Sequence, residues 1–171
     1  MVFRVLGDLS ARGYAWRTEG RRYVLGRKLL DLAVPRVGDK NLVDEAAPEI
    51  RALRDACGEG VGLLVPSGAE AERRRRLDLQ VLKRFSARTI TDRRALEAHL
   101  RRARQRGYAV DHAEELEGVH CVAAPVYDPD GRLTAAVVVT GPSERVPVSR
   151  FDELGRRTAA AAGRITERLR R

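Results

Sequence analysis

Two apolar runs, His120 to Tyr127 and Arg132 to Gly141, are separated only by Asp128-Pro129-Asp130-Gly131. Proline presets φ for a turn, glycine accepts the left-handed region, and aspartate bonds to its own local backbone, so this tetrapeptide reverses the chain. Two strands joined so closely pair antiparallel, and a sheet of this kind needs at least one face covered. The C-terminal segment can supply that cover. Phe151, Leu154, Thr158, Ala161, Ile165 and Leu169 recur at helical spacing, and Ser149 with Asp152 predicts an N-terminal capping box. Upstream, Asp92 caps a predicted helix carrying Leu96, His99, Leu100 and Ala103, which Gly107 ends. The other face of that helix is almost entirely arginine. A strand from Tyr108 to Asp111 and an acidic loop from His112 to Gly118 follow.

The N-terminal part has a different pattern. Val2, Val5, Leu6 and Leu9 predict a short amphipathic helix stopping at Gly13. Tyr14-Ala15-Trp16-Arg17 and Arg21-Arg22-Tyr23-Val24, separated by Thr18-Glu19-Gly20, predict a hairpin. A helical pattern resumes from Leu25 to Val34, and Pro35 to Lys40 reads as a linker. Leu42 to Cys57 then places Ala46, Ile50, Leu53 and Cys57 on one helical face, with Pro48 in or near the first turns. Val61 to Pro66 is a short apolar strand, and Gly68 to Ser86 has no period that assigns a structure. The fold class is α+β: residues 1–34, a linker at 35–40, and a larger domain from 41 to 171.

Composition narrows the function classes. Hydrophobic residues at 43% and charged residues at 33% describe a globular chain. The longest apolar runs fall short of the roughly 20 residues of a membrane helix. Met1-Val2-Phe3-Arg4 does not open a signal peptide, and a cytoplasmic location is expected. Cys57 and Cys121 form no CxxC or Cys/His pattern, so a disulfide scaffold, a zinc module and a cofactor are not expected. The formal net charge of +9 is unevenly spread, at +5 over residues 1–40, −3 over 41–69, +8 over 70–106 and −1 over 107–171. Positive blocks suit nucleic acid, although arginines outnumber lysines thirty to three, a bias that genome composition alone can produce. Catalysis is not expected. His120 and Cys121 are adjacent on a strand and point to opposite faces, which removes the obvious nucleophile and base pair. His112, Glu114, Glu115 and His120 match no established metal-ligand spacing.

Several blocks resemble one family. Val2-Phe3-Arg4-Val5-Leu6, Leu9, Arg12-Gly13-Tyr14 and Arg22-Tyr23-Val24-Leu25-Gly26 resemble the recognition helix, wing and linker start of IclR-type transcriptional regulators. Thr89-Ile90-Thr91-Asp92, Arg106 to Asp111, Gly118 to Val126 and Thr140-Gly141-Pro142 resemble successive blocks of that family's C-terminal effector-binding domain, in family order. The resemblance implies part of a winged helix-turn-helix followed by a shortened GAF-like α/β effector-binding domain. Residues between Gly68 and Leu82 are several tens fewer than the family has there, and helices that precede the recognition helix in the family do not precede it here. Ala113 precedes Glu114 where the family carries two adjacent acids, and Val138 stands where a hydroxyl is expected.

The implied partners are double-stranded operator DNA, a small organic effector such as a carboxylate or aromatic metabolite, and a second copy of the chain in a homodimer or higher homo-oligomer. Arg4 on the helix and Arg17, Arg21 and Arg22 on the wing are the candidates for phosphate contact. Asp111, Glu114, Cys121 and Thr140 are the effector candidates implied by the resemblance. The coupling between the two sites would run through the helix from Leu25 to Val34. The alternative is a sensor or interaction module that does not bind DNA by itself. The implied protein is not an enzyme.

Overall fold

A computed structural model describes residues 2–20, 22–26, 28, 36–37, 40–66 and 82–171. The chain divides into two compact units, Met1–Arg36 and Val37–Arg171.

In the first unit, helix α1 (Val2–Ala11) is followed by a hairpin of β1 (Ala15–Arg17) and β2 (Tyr23–Leu25). Ala15 pairs with Leu25, Trp16 with Val24 and Arg17 with Tyr23. The turn closes through Thr18, whose N–H and hydroxyl both donate to the Arg22 carbonyl, at 2.8 and 3.1 Å. Leu6, Leu9, Tyr14, Ala15, Tyr23, Val24 and Leu25 line an open apolar hollow of about 810 Å³. The expected helix from Leu25 to Val34 lies largely outside the described residues.

The second unit begins inside the stretch expected to be a linker. Strand β3 (Arg36–Val37) pairs with β4 (Lys40–Asn41), and Val37 is a core residue. Asn41 then caps helix α2 (Leu42–Cys57), its Oδ1 accepting from the N–H groups of Val43 at 2.9 Å and Asp44 at 3.4 Å. The helix runs through Pro48 and buries Leu42, Ala46, Glu49, Leu53 and Cys57.

The remaining strands form one antiparallel sheet in the order β5 (Gly60–Leu64), β8 (Leu133–Pro142), β7 (Val119–Tyr127), β6 (Ala109–His112). The Asp128–Gly131 turn joins β7 to β8 as expected: Gly131 takes φ +78° and Asp128 Oδ1 accepts from the Arg132 N–H at 2.8 Å. Burial alternates along both central strands. Val122, Ala124, Val126, Ala135, Val137 and Val139 pack against α2 and the C-terminal helix α4 (Phe151–Arg170). Every α4 position expected to be apolar and inward is buried.

Two contacts tie α2 and β7 to α4. The mostly buried Glu49 carboxylate meets Arg164 at 2.6 Å and Arg168 at 3.2 Å. Burial opposes its ionisation, but the hydrogen bonds and charges of the two arginines outweigh that and hold its pKa below the usual carboxylate value. Thr166 Oγ1 accepts from the Tyr127 N–H at 3.1 Å.

The entry to α4 differs from the expected capping box. A 3-10 turn (Val148–Arg150) precedes the helix, and no side-chain cap bond forms. The turn satisfies its donors with backbone carbonyls, as in Arg150 N–H to Pro147 O at 2.9 Å. Asp152 instead accepts from the Tyr108 hydroxyl at 2.6 Å.

Candidate ligand-binding site

The second sheet face carries the other half of each alternation: Ala109 and Asp111 on β6, Cys121, Ala123 and Pro125 on β7, Ala136, Val138 and Thr140 on β8, and Gly60, Gly62 and Leu64 on β5. Most of these side chains are small, so the face forms a shallow floor. Near one end of it, Asp111 pairs with Cys121, Cys121 with Thr140, and Thr140 with Gly60. Three of the four expected effector residues thus fall in one row across the sheet, although they come from positions up to 29 residues apart.

The row is bonded internally. The Cys121 thiol donates to Thr140 Oγ1 at 3.3 Å. Burial raises the Cys121 pKa against a smaller opposing contribution from the Thr140 bond, so the group is a neutral thiol at neutral pH. Asp111 Oδ1 accepts from the Glu114 N–H at 2.7 Å, folding the following loop back on the strand. Glu114, the fourth expected residue, is on that loop. Its own pKa is raised, first by burial and also by Asp111, while His99 and a backbone bond from His112 act the other way.

Beside the row is a hollow of about 530 Å³, lined by Phe85, Asp111, Glu115, Leu116, Val119 and Cys121. Its volume is in the range of small-molecule sites. It combines apolar wall with two carboxylates and a thiol, a mixture that can orient a small organic molecule by hydrogen bonds.

Several residues of this region carry no sequence signal as site residues. Phe85, Leu116 and Val119 form wall, and Ser86 and Thr89 hold the loop. Ser86 Oγ donates to the carbonyls of Ala113 at 2.7 Å and Glu114 at 3.1 Å, and Thr89 Oγ1 also reaches the Glu114 carbonyl. Ala113 between them adopts φ +58°, a conformation a non-glycine residue keeps only when its surroundings enforce it. Of these, only Thr89 and Val119 fell in blocks of family resemblance.

His112 and His120 lie on the helix-covered face. His112 and His120 stack edge to face with ring centroids 4.7 Å apart, and each also meets Phe151 edge-on. His120 Nδ1 is 2.7 Å from the Val146 carbonyl, while Cys121 faces the other way, as the strand alternation requires. Among the expected DNA-contact residues, Arg4, Arg17 and Arg22 are exposed, and Arg21 lies outside the described residues.

An antiparallel sheet with helices packed on one face and a small hollow on the other is a GAF-like α/β architecture. The sequence matches the family described as "Bacterial transcriptional regulator IclR C-terminal" over residues 56–167. The chain belongs to the IclR family. It is 35% identical over 134 residues to the HTH-type transcriptional repressor AllR of Klebsiella pneumoniae, covering 76% of this chain and 48% of that protein. It is 34% identical over 119 residues to the HTH-type transcriptional regulator BhcR of Paracoccus denitrificans, covering 70% of this chain and 42% of that protein. The chain therefore spans half or less of the length of these relatives. Among solved structures it shares the fold of the Thermotoga maritima IclR, with a TM-score of 0.74 at 23% identity over 99% of this chain and 85% of that one. The C-terminal domain of the Escherichia coli transcriptional regulator KdgR superposes with a TM-score of 0.66 at 23% identity, over 76% of this chain and 99% of that one. No helix among the described residues is long and apolar enough to cross a membrane.

Proposed function

We propose that this chain acts in the cytoplasm as a DNA-binding transcriptional regulator whose affinity for its operator changes when a small organic effector occupies the open sheet face. In this reading residues 1–34 contribute recognition helix and wing, with Arg4, Arg17, Arg21 and Arg22 meeting phosphates of double-stranded DNA. Residues 41–171 sense the effector, and the protein works as a homo-oligomer without a catalytic step. The observation that carries the sensing role is the row of Asp111, Cys121 and Thr140 beside the 530 Å³ hollow.

The test is a thermal-shift and calorimetric screen of small carboxylates and aromatic acids. A true effector at a hundred times its Kd stabilises by about 2.7 kcal/mol, which for a chain of this size raises Tm by roughly 5–10 °C. Asp111→Asn or Thr140→Val each removes one hydrogen bond worth about 1–1.5 kcal/mol, so affinity falls roughly 5- to 12-fold while the ligand-free melt stays close to wild type. A ligand that binds equally well to both variants would move the site elsewhere.

The second reading, a sensor or interaction module without DNA binding of its own, is favoured by the apolar surface of the first unit, where Leu25 is 85% and Val24 49% exposed. Ligand-dependent stabilisation without any retardation of duplex DNA supports that reading over the first.

A further inference from the structure

Helix α3 (Arg93–Arg106) of the sensing unit contains six arginines and one acid, Glu97, and buries none of its residues. Arg104 and Arg106 in the last turn suit the helix dipole, but the arginines of the first turn do not. Arg93 and Arg94 occupy the first turn, where no acidic residue stands and the positive end of the helix dipole repels cations. Local partners account for only part of the set. Glu97 lies 3.9 Å from Arg93, and Arg106 donates to the Tyr108 carbonyl at 2.7 Å while stacking on the Tyr108 ring. Arg94, Arg101, Arg102 and Arg104 are exposed and meet no partner among the described residues. At 100° per residue, Arg94, Arg101 and Arg104 lie within one arc about 80° wide, in which the one acid, Glu97, is paired with Arg93.

We propose that this arc is a contact surface for the phosphodiester backbone of double-stranded DNA, separate from the helix and wing of the first unit. From Arg94 to Arg104 the helix rises about 15 Å, a length over which a duplex presents about nine phosphate charges. Guanidinium groups match phosphate by paired N–H donors. No Phe, Tyr or Trp lies on α3 to stack unpaired bases, so the surface fits the outside of a duplex rather than a single strand. Contacts of this kind carry no base sequence; they add affinity and salt dependence. The inference rests on the reading of the protein as a DNA-binding regulator, but on different residues.

The experiment is fluorescence anisotropy of a labelled duplex of arbitrary sequence with the full chain, over a salt series. The triple variant R94Q/R101Q/R104Q is compared with R51Q/R156Q/R170Q, which removes the same charge from exposed positions elsewhere, and with R4Q/R17Q/R22Q. The expected result is that the α3 variant lowers the slope of log K against log salt by up to about 2.7, at roughly 0.9 per phosphate contact. The charge-matched variant leaves that slope close to wild type, and all variants melt like the parent. An equal loss of slope in the charge-matched variant overturns the proposal, as does a wild-type slope in the α3 variant. If the latter comes with loss of binding by the helix-and-wing variant, the regulator reading stands without this surface. If the helix-and-wing variant binds unchanged while the α3 variant loses its slope, this surface stands and the assignment of Arg4, Arg17 and Arg22 fails. Preference for poly-glutamate over duplex at equal charge would make the partner an acidic protein and also overturn it, and no binding of any duplex by the wild type defeats both readings.

Discussion

Two glycines on α4 should respond to the same substitution with opposite signs. A Cβ built on Gly155 would lie 2.3–2.5 Å from Cε2, Cδ2 and Cζ of Tyr108, whereas one on Gly163 would meet nothing within 4 Å. The Tyr108 ring has little freedom to retreat. Its hydroxyl donates to Asp152 at 2.6 Å, and the Arg106 guanidinium sits 4.6 Å from its centroid. Burial first, and then the Asp152 bond, raise the phenol pKa, so the donor stays protonated across the neutral range. Gly155→Ala gains about 1 kcal/mol of helix propensity but incurs overpacking of about 1–3 kcal/mol. Displacing the ring also costs the bond to a charged acceptor, about 1.5–3 kcal/mol. The net destabilisation is about 2–4 kcal/mol, or roughly 5–12 °C in Tm for a chain of this length. Gly163→Ala carries only the propensity gain and stabilises by about 0.5–1 kcal/mol.

Urea denaturation followed by circular dichroism measures both, and a double-mutant cycle identifies the cause. In a Tyr108→Ala background the clash is gone, so Gly155→Ala should become neutral or stabilising, with a coupling energy of about 3 kcal/mol. Gly155→Ala as stable as wild type, or a coupling energy near zero, would refute the close approach of Tyr108 to α4.

Glu49 predicts an asymmetry: Glu49→Gln frees two half-exposed arginines that water can resolvate, at about 1 kcal/mol, whereas Arg164→Ala with Arg168→Ala strands a carboxylate only 10% exposed and costs about 3 kcal/mol; equal losses by chemical denaturation would contradict it. His112 predicts a pH dependence. Burial, then Arg88 and His120, lower its pKa against a smaller opposing effect of Asp111. In the window below the ordinary histidine value of about 6.5 the unfolded chain binds a proton that the folded chain refuses. The contribution is therefore present above that value and lost as pH falls through the folded pKa. Urea midpoints measured from pH 7.5 down to 5.5 should fall, and His112→Asn should flatten the decline; an unchanged decline would absolve His112.

What could be read from the sequence was whatever local chemistry decides. The Asp128–Gly131 turn, the Asp92 and Gly107 ends of α3 and the inward face of α4 all follow from residues within a few positions of one another, and all were legible. The capping box at Ser149 gave way to a 3-10 turn, and Asp152 meets a group no local pattern announces, Tyr108, 44 residues away. The boundary between the two units falls inside the stretch Pro35 to Lys40, but the burial of Val37 there had no local signal, since it is a single apolar residue whose burial depends on the core beyond it. The site divided along the same line. Asp111, Glu114, Cys121 and Thr140 came from family resemblance, whereas Phe85, Ser86 and Leu116 depend on how the segment before α3 meets the loop after β6, and no period encodes that.

The site depends on strand register more than on any one of its residues. Because side chains alternate at a period of two, slipping β7 by one residue against its neighbours would exchange Cys121 for His120 or Val122 on the open face and expose the valines that hold α2 and α4. The helix-packed face resists such a slip, since Val122, Val137 and Val139 are fully buried there. The turn at Asp128–Gly131 resists it as well, and the one irregularity in the β7–β8 ladder, between Val126 and Tyr127, lies next to that turn, at the far end from Cys121 and Thr140. The other face, by contrast, is lined mainly by alanine, glycine, valine and threonine, and no helix among the described residues packs on it. The two faces thus divide the demands on the sheet: one fixes the register through burial, and the other can change its side chains at less cost to the fold.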